Sequence, residues 1–311
     1  MKCLLCHSEE LKISENINRK NIIKIWESIN IDVSEELKTK SIIKYKCENC
    51  NLFFFDPINA GQDKFYSSIG KSDWYYQHSG KTEYEIASNY IYDYAKVLDI
   101  GSGRGELYAN VSKFKKFDYT GIELSTKAVE QAKEYNINVI KEDLEVHAIN
   151  HIEEYDVICL FQVLEHLTEV LLFIANVKLC LKRNGTFLIA VPNNKSYLEF
   201  TSNNILNLPP HHTILWDKLT LQKLGKQFDF ELIEIIEENI QEIHLETKNH
   251  AYIVKKIYDY FGFKYRSIRV DKLFYIISKV ATFLLKFPFI KNLVDTKCTL
   301  GHSIIFVFKK K

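Results

Sequence analysis

From residue 94 to the end of the chain, short apolar runs alternate with longer segments of helical periodicity. Helical spacing of apolar positions is clear in 128–135 and 170–181. Strands separated by helices form βαβ units, so the pattern predicts an α/β fold whose parallel sheet is covered by helices on both faces. The predicted strands are 97–100, 119–123, 138–141, 155–161, 186–191, 230–237 and 302–309.

The last two predicted strands are separated by residues 240–300, a span longer than any normal loop, which predicts a helical insertion before the last strand. Within it, Lys272, Lys279 and Lys286 recur every seven residues among apolar positions. This pattern is typical of a helix that packs on the core or on a second copy of the chain and keeps a solvated basic edge. A peripheral contact with a membrane surface is the alternative. The oligomeric state is not indicated.

Four of the seven cysteines form two CxxC pairs, Cys3/Cys6 and Cys47/Cys50. Two such turns can bring four thiolates together around a structural Zn²⁺, and disulfides are rare in a reducing compartment. We therefore expect a zinc-ribbon domain over 1–60 and a second domain over 61–311. A redox-active motif or a chance pairing is the alternative. The amphipathic segment 21–29, between the pairs, indicates a helical insert in the ribbon. The remaining cysteines, which have apolar neighbours and are expected in the core, are Cys159, Cys180 and Cys298.

The net charge and the N-terminal sequence bear on the expected partners and cellular location of the protein. The chain has 41 Lys and Arg against 40 Asp and Glu, a net charge of +1. Non-specific binding of nucleic acid usually needs a clear basic excess, so no nucleic-acid partner is expected. The N-terminus lacks the apolar run of a signal peptide, and no stretch reaches the ~20 uncharged apolar residues of a membrane span. A cytoplasmic location is expected.

A glycine-rich turn, the glycine loop 101–105, directly follows the first predicted strand of the α/β region. Such a turn lets a ligand approach the backbone closely. A dinucleotide fold has the pattern G-x-G-x-x-G, whereas here the third glycine comes one residue early. Asp99, just before the loop, suits a ligand with a positive group better than a pyrophosphate. Two further carboxylates come at the ends of the next two predicted strands. Glu123 can accept hydrogen bonds from both hydroxyls of a ribose, and Asp143 can accept one from an adenine amino group.

These residues together resemble class I S-adenosylmethionine (SAM) methyltransferases, over about residues 80–235 and the final strand; a nucleotide-binding domain of another type is the alternative. The resemblance implies a Rossmann-like, seven-stranded sheet whose last strand is antiparallel. It also implies SAM as cofactor, with Gly101 and Gly103 near its methionine part, Asp99 at its amino group and Glu123 at its ribose. Asp143 and Leu144 would frame the adenine. The other residues expected to bind the cofactor are Ser102, Leu124, Phe161 and Gln162.

Strand 155–161 leads into Gln162 and then Glu165-His166, which puts these side chains near the transferring methyl. The stretch resembles the ubiquinone-biosynthesis O-methyltransferases, which carry E-V-x-E-H and are thought to bind a divalent metal there. In this chain Gln162 stands in place of the first Glu, so one anionic ligand is absent and a catalytic metal stays an open question. Glu165 and His166 are candidate catalytic residues.

A second polar segment, Pro209-Pro210-His211-His212, follows the fifth predicted strand on the same edge of the sheet. Histidine is well matched to accept a hydroxyl proton near neutral pH, so His211 and His212 are candidate catalytic bases. A capping or packing role is the alternative. Asn193 and Asn194 could bind a polyhydroxyl acceptor. Aromatic residues of the connector 61–80 could stack on the cofactor or on a sugar ring, and these are Tyr66, Tyr75 and Tyr76.

The cysteine pattern together with the core resembles the zinc-ribbon SAM methyltransferases that act on sugars, surface polysaccharides and natural products. The resemblance implies a small-molecule acceptor, a hydroxyl of a sugar or surface-glycan precursor. An RNA base methyltransferase with a zinc ribbon is the alternative, and the near-neutral charge disfavours it. A third class, a non-enzymatic zinc module with a vestigial cofactor site, is disfavoured by the intact glycine loop and its carboxylates.

Overall fold

Two β-sheets organise the residues that the computed structural model describes, 1–71 and 82–311. The strands are β1 (Leu11–Asn18), β2 (Ser41–Cys47), β3 (Phe53–Asp56), β4 (Lys96–Ile100), β5 (Asp118–Glu123), β6 (Val139–Lys141), β7 (Tyr155–Phe161), β8 (Leu181–Pro192), β9 (Ile214–Leu215), β10 (Phe230–Asn239) and β11 (Leu300–Lys310). The helices are α1 (Arg19–Glu27), α2 (Asp63–Ile69), α3 (Thr82–Tyr90), α4 (Glu106–Val111), α5 (Thr126–Glu134), α6 (Leu144–Asn150), α7 (Val170–Cys180), α8 (Lys218–Gln227), α9 (Glu242–Tyr260), α10 (Lys272–Leu284) and α11 (Pro288–Asp295).

The larger sheet has seven strands in the order β10-β11-β8-β7-β4-β5-β6. The strands from β4 to β8 pair in parallel, whereas β11 is antiparallel to both of its neighbours, β10 and β8. This arrangement confirms the predicted Rossmann-like sheet with an antiparallel last strand. The boundary that differs most from the prediction is the start of β8: α7 ends at Cys180, and residues 181–185 already belong to β8, where Leu181 pairs with Tyr155 of β7.

Alternate residues of the central strands face opposite sides of the sheet, as the pleat of a strand requires. On β7, Ile158 and Leu160 pack in one apolar cluster, while Val157 and Cys159 pack in the other. Cys159 and Cys180 are buried, as predicted. The prediction for Cys298 is wrong, because this residue lies in the exposed turn between α11 and β11, where the chain leaves the insertion before it enters the sheet.

The smaller sheet is antiparallel, with the order β1-β2-β3-β9. Cys47 ends β2 and Cys50 lies in the turn before β3, and α1 overlaps the predicted helical insert at 21–29. Asn18, the N-cap of α1, accepts a hydrogen bond from the Lys20 amide. The fourth strand, β9, comes from residues 214–215, so a segment distant in sequence completes this sheet. The domain boundary at residue 60 stays a prediction.

Three helices, α9 to α11, lie between β10 and β11, as the length of that span predicts. α10 begins after Asp271, whose carboxylate accepts a hydrogen bond from the Phe274 amide. No single helix among the described residues is both long enough and apolar enough to cross a membrane. The pair α10 and α11 reaches that length and apolar content when taken together, with a bend of 101° between the two helices.

Candidate active site

A cleft of about 2210 Å³ opens at the carboxyl ends of the parallel strands and extends to the helical insertion. The residues predicted to bind the cofactor all line it, namely Asp99, Gly101, Ser102, Gly103, Glu123, Leu124, Asp143, Leu144, Phe161 and Gln162. The four predicted catalytic residues line it too, and these are Glu165, His166, His211 and His212. The fold therefore brings all of these predicted cofactor-binding and catalytic residues into one space, and their individual roles stay predictions.

The glycine loop turns sharply between β4 and α4. Gly101, Gly103 and Gly105 have φ values of +69°, +56° and +81°, in the left-handed region that favours glycine. A Cβ on Gly101 would lie 2.4 Å from Cγ2 of Val163, and a Cβ on Gly105 would lie 2.6 Å from Cγ2 of Ile137. The loop therefore needs glycine both for its backbone conformation and for its close approach to neighbouring segments.

Three carboxylates lie at the carboxyl ends of β4, β5 and β6. Asp99 is buried and accepts a hydrogen bond of 2.8 Å from the Tyr119 hydroxyl. Glu123 accepts hydrogen bonds from the amides of Gly103, at 3.0 Å, and Ser125, at 2.8 Å, and so joins the glycine loop to the end of β5. Asp143 is exposed and caps α6 through the Glu145 amide. The cleft is therefore acidic along this edge.

Three histidines meet elsewhere on the wall of the same cleft. His166 lies on a 3₁₀ turn after β7, whereas His211 and His212 lie in the loop before β9. The ring centroids of this histidine cluster are 4.5 to 4.9 Å apart. The loop is held against the 3₁₀ turn, because the Thr213 amide donates a 2.9 Å hydrogen bond to the Glu165 carbonyl. The sequence prediction that these residues share one edge of the sheet matches this arrangement.

The Nδ1 atom of each ring in the cluster is close to an oxygen atom. The distances are 2.6 Å from His166 to the His211 carbonyl, 2.9 Å from His211 to the Leu206 carbonyl, and 3.2 Å from His212 to Asn207 Oδ1. Because these oxygens accept hydrogen bonds, the contacts assign the proton of each neutral ring to Nδ1.

Burial lowers the pKa of His166 to about 4. Burial, with the neighbouring imidazoles adding to it, lowers the pKa of His211 and of His212 well below the usual range. The cluster is therefore neutral near pH 7. Each bare ring is a weaker base than the sequence alone suggests.

Glu165 and Tyr66 border the histidine cluster. Glu165 is buried, and its Oε1 lies 3.8 Å from Nε2 of His166 and 3.9 Å from Nε2 of His212. The Tyr66 hydroxyl lies 3.1 Å from His166 Nδ1, and burial together with the Glu165 charge raises the pKa of this phenol. The connector residues Tyr75 and Tyr76 lie outside the described residues.

Several residues of the cleft carried no sequence signal. The Gln162 side-chain amide donates to Glu83 Oε1, at 3.3 Å, and to Ser303 Oγ, at 3.1 Å. Buried Glu238 accepts hydrogen bonds from the Thr82 hydroxyl and the Ser303 amide. These groups come from α3, β10 and β11, and only the fold brings them together. Asn193 and Asn194, expected to contact the acceptor, are buried outside the cleft lining.

The four cysteines of the CxxC pairs form a second cluster, the cysteine cluster, with all four Sγ atoms within 4.8 Å of one another. The Sγ atoms of Cys3 and Cys50 are 3.4 Å apart, and those of Cys6 and Cys47 are 3.6 Å apart. Thiolates at 2.3 Å from a tetrahedral Zn²⁺ would be about 3.8 Å apart, so the cluster has the donor set and nearly the spacing that zinc needs.

Comparison with known proteins gives a consistent family. A family model described as a methyltransferase domain matches residues 71–235, which is more than half of the chain. A ubiquinone biosynthesis O-methyltransferase from Hydrogenovibrio crunogenus is 31% identical over 132 residues, which cover 39% of this chain and 54% of the relative. The protein of the same name from Glaesserella parasuis is 28% identical over 159 residues, which cover 45% and 67% respectively. The match thus spans only about half of the first relative.

A solved structure agrees with the sheet topology. The crystal structure of a SAM dependent methyltransferase from Archaeoglobus fulgidus aligns with a TM-score of 0.50 and 17% identity, covering 79% of this chain and 100% of that one. At this identity the likeness concerns the fold alone. With the matched domain, the seven-stranded sheet and the glycine loop in agreement, the chain belongs to the methyltransferase-domain family.

Proposed function

We propose that this protein transfers a methyl group from SAM to a hydroxyl of a small-molecule acceptor, a sugar or surface-glycan precursor. The observation that carries the proposal is that the histidine cluster and the glycine loop open into the same cleft. A methyl donor and a group that assists proton removal from an acceptor must meet in one space, and this cleft has both kinds of residue on its walls.

In this proposal the cofactor lies along the acidic edge of the cleft. Asp99 meets the amino group of SAM, Glu123 binds the ribose, and Asp143 with Leu144 frames the adenine. Ser102, Leu124, Phe161 and Gln162 complete the walls. The positions of these carboxylates after successive strands support the assignment, because ligands of parallel sheets bind at the carboxyl ends of the strands.

The acceptor would occupy the remainder of the cleft, towards the helical insertion. Ligand pockets are typically about 300–1,000 Å³, so a cleft of about 2210 Å³ has room for a cofactor and a large polar acceptor. Its lining there includes Glu238, His244 and His302, which suit hydroxyl groups. The two named relatives are O-methyltransferases, which supports a hydroxyl as the methylated group.

The histidine cluster would act on the hydroxyl proton of the acceptor. SAM brings its own leaving group, so orientation of the acceptor should dominate the rate enhancement, and a general base adds a factor of roughly 10²–10⁴. We therefore expect His211→Ala and His212→Ala to lower turnover by roughly 10²–10⁴ and to leave SAM affinity unchanged. Glu165 and His166 border the same point and would orient the acceptor.

The test combines calorimetric titration with SAM and a transfer assay with labelled SAM against a panel of nucleotide sugars. His151→Ala is a matched control, because His151 lies on the end of α6 and does not line the cleft. The expected result is SAM binding, transfer to at least one hydroxylated acceptor, and loss of transfer only in the cluster variants. Full turnover in both cluster variants would refute the assignment of the histidines, and no SAM binding would refute the proposal as a whole.

We also propose that the cysteine cluster holds a structural Zn²⁺. Its thiols are buried apart from the half-buried Cys6, and a closed set of four thiolates leaves no open position for catalysis. The expected result is one zinc per chain by mass spectrometry of the folded protein, retained in Cys159→Ser and lost in Cys47→Ser. Zinc retained in Cys47→Ser would contradict the assignment.

The exposed face of α10 and α11 supports a further part of the proposal, a peripheral contact with an anionic membrane. Phe283 and Phe289 are 58% and 78% exposed, and Lys279 and Lys286 lie among the apolar residues of this face. An apolar face rimmed with lysines matches an anionic lipid surface. Phe283→Ser with Phe289→Ser should abolish sedimentation with phosphatidylglycerol vesicles, whereas Tyr135→Ser, at an equally exposed position on another face, should not. Equal sedimentation of all variants would remove the contact.

A further inference from the structure

We propose that His147 is a positioning residue for the cofactor, because it holds Glu142 where this carboxylate can accept a hydrogen bond from the adenine amino group beside Asp143. The inference deepens the proposed function and rests on it, since it takes the adenine to lie at the end of β6. Neither Glu142 nor His147 belongs to the glycine loop or to the histidine cluster. Cofactor binding tests the inference directly and needs no methyl acceptor.

His147 connects the wall of the cleft to the buried start of β7 through both of its ring nitrogens. Nδ1 lies 2.5 Å from Oε2 of Glu142, and Nε2 lies 2.8 Å from the hydroxyl of Tyr155. The His147 amide also donates a 3.0 Å hydrogen bond to the Asp143 carbonyl. The side chain and the backbone of one residue therefore hold two successive residues of the turn between β6 and α6.

The protonation of these groups gives each hydrogen bond a direction. A carboxylate accepts hydrogen bonds, so the contact with Glu142 assigns the proton of the neutral ring to Nδ1. Burial is the largest cause that lowers the pKa of His147 and that raises the pKa of Tyr155, so the ring is neutral and the phenol is protonated near pH 7. The Tyr155 hydroxyl therefore donates to Nε2, and the Nδ1–H group donates to Glu142.

Glu142 lies on the wall of the cleft, whereas His147 lies behind it. The side chain of Glu142 is 28% exposed and lines the cleft beside Asp143, but the side chain of His147 is 1% exposed and does not line it. The ring of His151 stacks on that of His147, with the centroids 4.0 Å apart. His147 can therefore act on a ligand only through the turn that it holds.

This arrangement leaves one oxygen of Glu142 for a ligand. Oε2 is bound to His147, and within residues 1–71 and 82–311 the carboxylate makes no other hydrogen bond, so Oε1 is available at the cleft. An adenine amino group has two N–H donors, of which Asp143 can accept one and Glu142 the other. A side chain that is already fixed before binding also loses less conformational entropy when the ligand arrives.

Calorimetric titration of the whole protein with S-adenosylhomocysteine and with S-inosylhomocysteine tests the inference. In the second ligand an oxygen atom replaces the amino group of the base, so this position can no longer donate to a carboxylate. The wild-type protein should therefore prefer the adenine ligand by about 100-fold or more. His147→Leu and Glu142→Gln should each reduce this preference by about 10-fold, because each variant loses one of the two carboxylate contacts.

Two further variants of the histidines serve as controls. His147→Asn keeps an N–H group near the place of Nδ1, and should retain most of the preference for the adenine ligand. His151→Ala removes the stacked ring but neither hydrogen bond of His147, and should retain the wild-type preference. The double variant His147→Leu with Glu142→Gln should lose no more preference than either single variant, because both changes act on the same contact.

A purely structural role of His147 gives a different result, since it would weaken the binding of both ligands alike. The inference is overturned if the affinities for the two ligands fall equally, if either single variant keeps the wild-type preference, or if the two effects add. Glu142→Gln changes a residue on the cleft wall, so it decides the matter even where His147→Leu folds poorly. Wild-type protein that binds neither ligand would reject the proposed function together with the inference, whereas binding with an unchanged preference in the variants would reject the inference alone.

Discussion

The fold leaves little room for a side chain at position 101. The φ of Gly101 is +69°, a conformation that costs a non-glycine residue about 1–2 kcal/mol. A Cβ there would also lie 2.4 Å from Cγ2 of Val163, so this valine must move, and overpacking of this kind typically costs about 1–3 kcal/mol. We therefore expect Gly101→Ala to lower the free energy of unfolding by about 2–5 kcal/mol. SAM affinity should fall as well, because Val163 lines the cleft beside Gln162.

Gly262 provides a matched control, because it has the same φ of +69° with no heavy atom within 4 Å of the added Cβ. Gly262→Ala should therefore cost only the backbone contribution, about 1–2 kcal/mol, and should leave SAM affinity unchanged. Denaturant unfolding and calorimetric titration with SAM measure the two effects. Adding Val163→Ala to Gly101→Ala removes the contact, and should restore part of the affinity. Equal stability losses in the two alanine variants, with wild-type SAM affinity, would refute the steric reasoning.

The remaining predictions concern other groups of the site. Glu123→Gln should weaken SAM binding by about 10-fold or more in calorimetry, because hydrogen bonds to a charged group contribute about 1.5–3 kcal/mol. Glu134→Gln, at the exposed end of α5 and outside the cleft lining, should leave it unchanged. Equal affinities would contradict the ribose assignment. Burial lowers the pKa of His166 to about 4 from 6.5, so the unfolded chain takes up this proton first as the pH falls. Its contribution to the free energy of unfolding should therefore decline between those pH values by up to about 1.4 kcal/mol per pH unit. Denaturant unfolding across this range should show a smaller pH slope in His166→Gln than in the wild type, and an unchanged slope would count against burial as the cause. Cys47→Ser should lower the melting temperature and the turnover, while calorimetry still detects SAM binding. Wild-type turnover in this zinc-free variant would show that the cysteine cluster and the candidate active site are independent.

Those strands of the seven-stranded sheet that are apolar runs between polar or glycine-rich segments could be predicted from the local pattern. β7, for example, is apolar at every position but Asp156. β1 gives no such signal, because its polar residues outnumber its apolar ones and its structure depends on pairing with β2. β9 has two residues and exists only because β3 lies beside it. Elements that depend on a distant partner leave little trace in the local pattern.

The same distinction applies to the candidate site. The glycine loop and its three carboxylates follow strands at fixed spacing, so their common location could be predicted from the order of residues alone. Glu83 and Glu238 reach the cleft from α3 and β10, and no local spacing connects them. Nor could burial of the histidine cluster be predicted, although burial decides that its rings are neutral. Composition indicates which chemistry a chain can carry, whereas the surroundings of a group set its charge.

The smaller sheet and α1 contact the loop that carries His211 and His212. The Phe55 amide of β3 donates a 3.0 Å hydrogen bond to the Thr213 carbonyl, just after the two histidines. The Trp26 indole of α1 donates a 3.2 Å hydrogen bond to the Pro209 carbonyl, just before them. The loop is thus held on both sides by the N-terminal segment, and β9 extends it into the same sheet. Because the N-terminal segment contacts this loop on both sides of the two histidines, it can fix the direction of the histidine rings without touching the cofactor. This is a physical reason for the cysteine cluster, the smaller sheet and the loop to occur together.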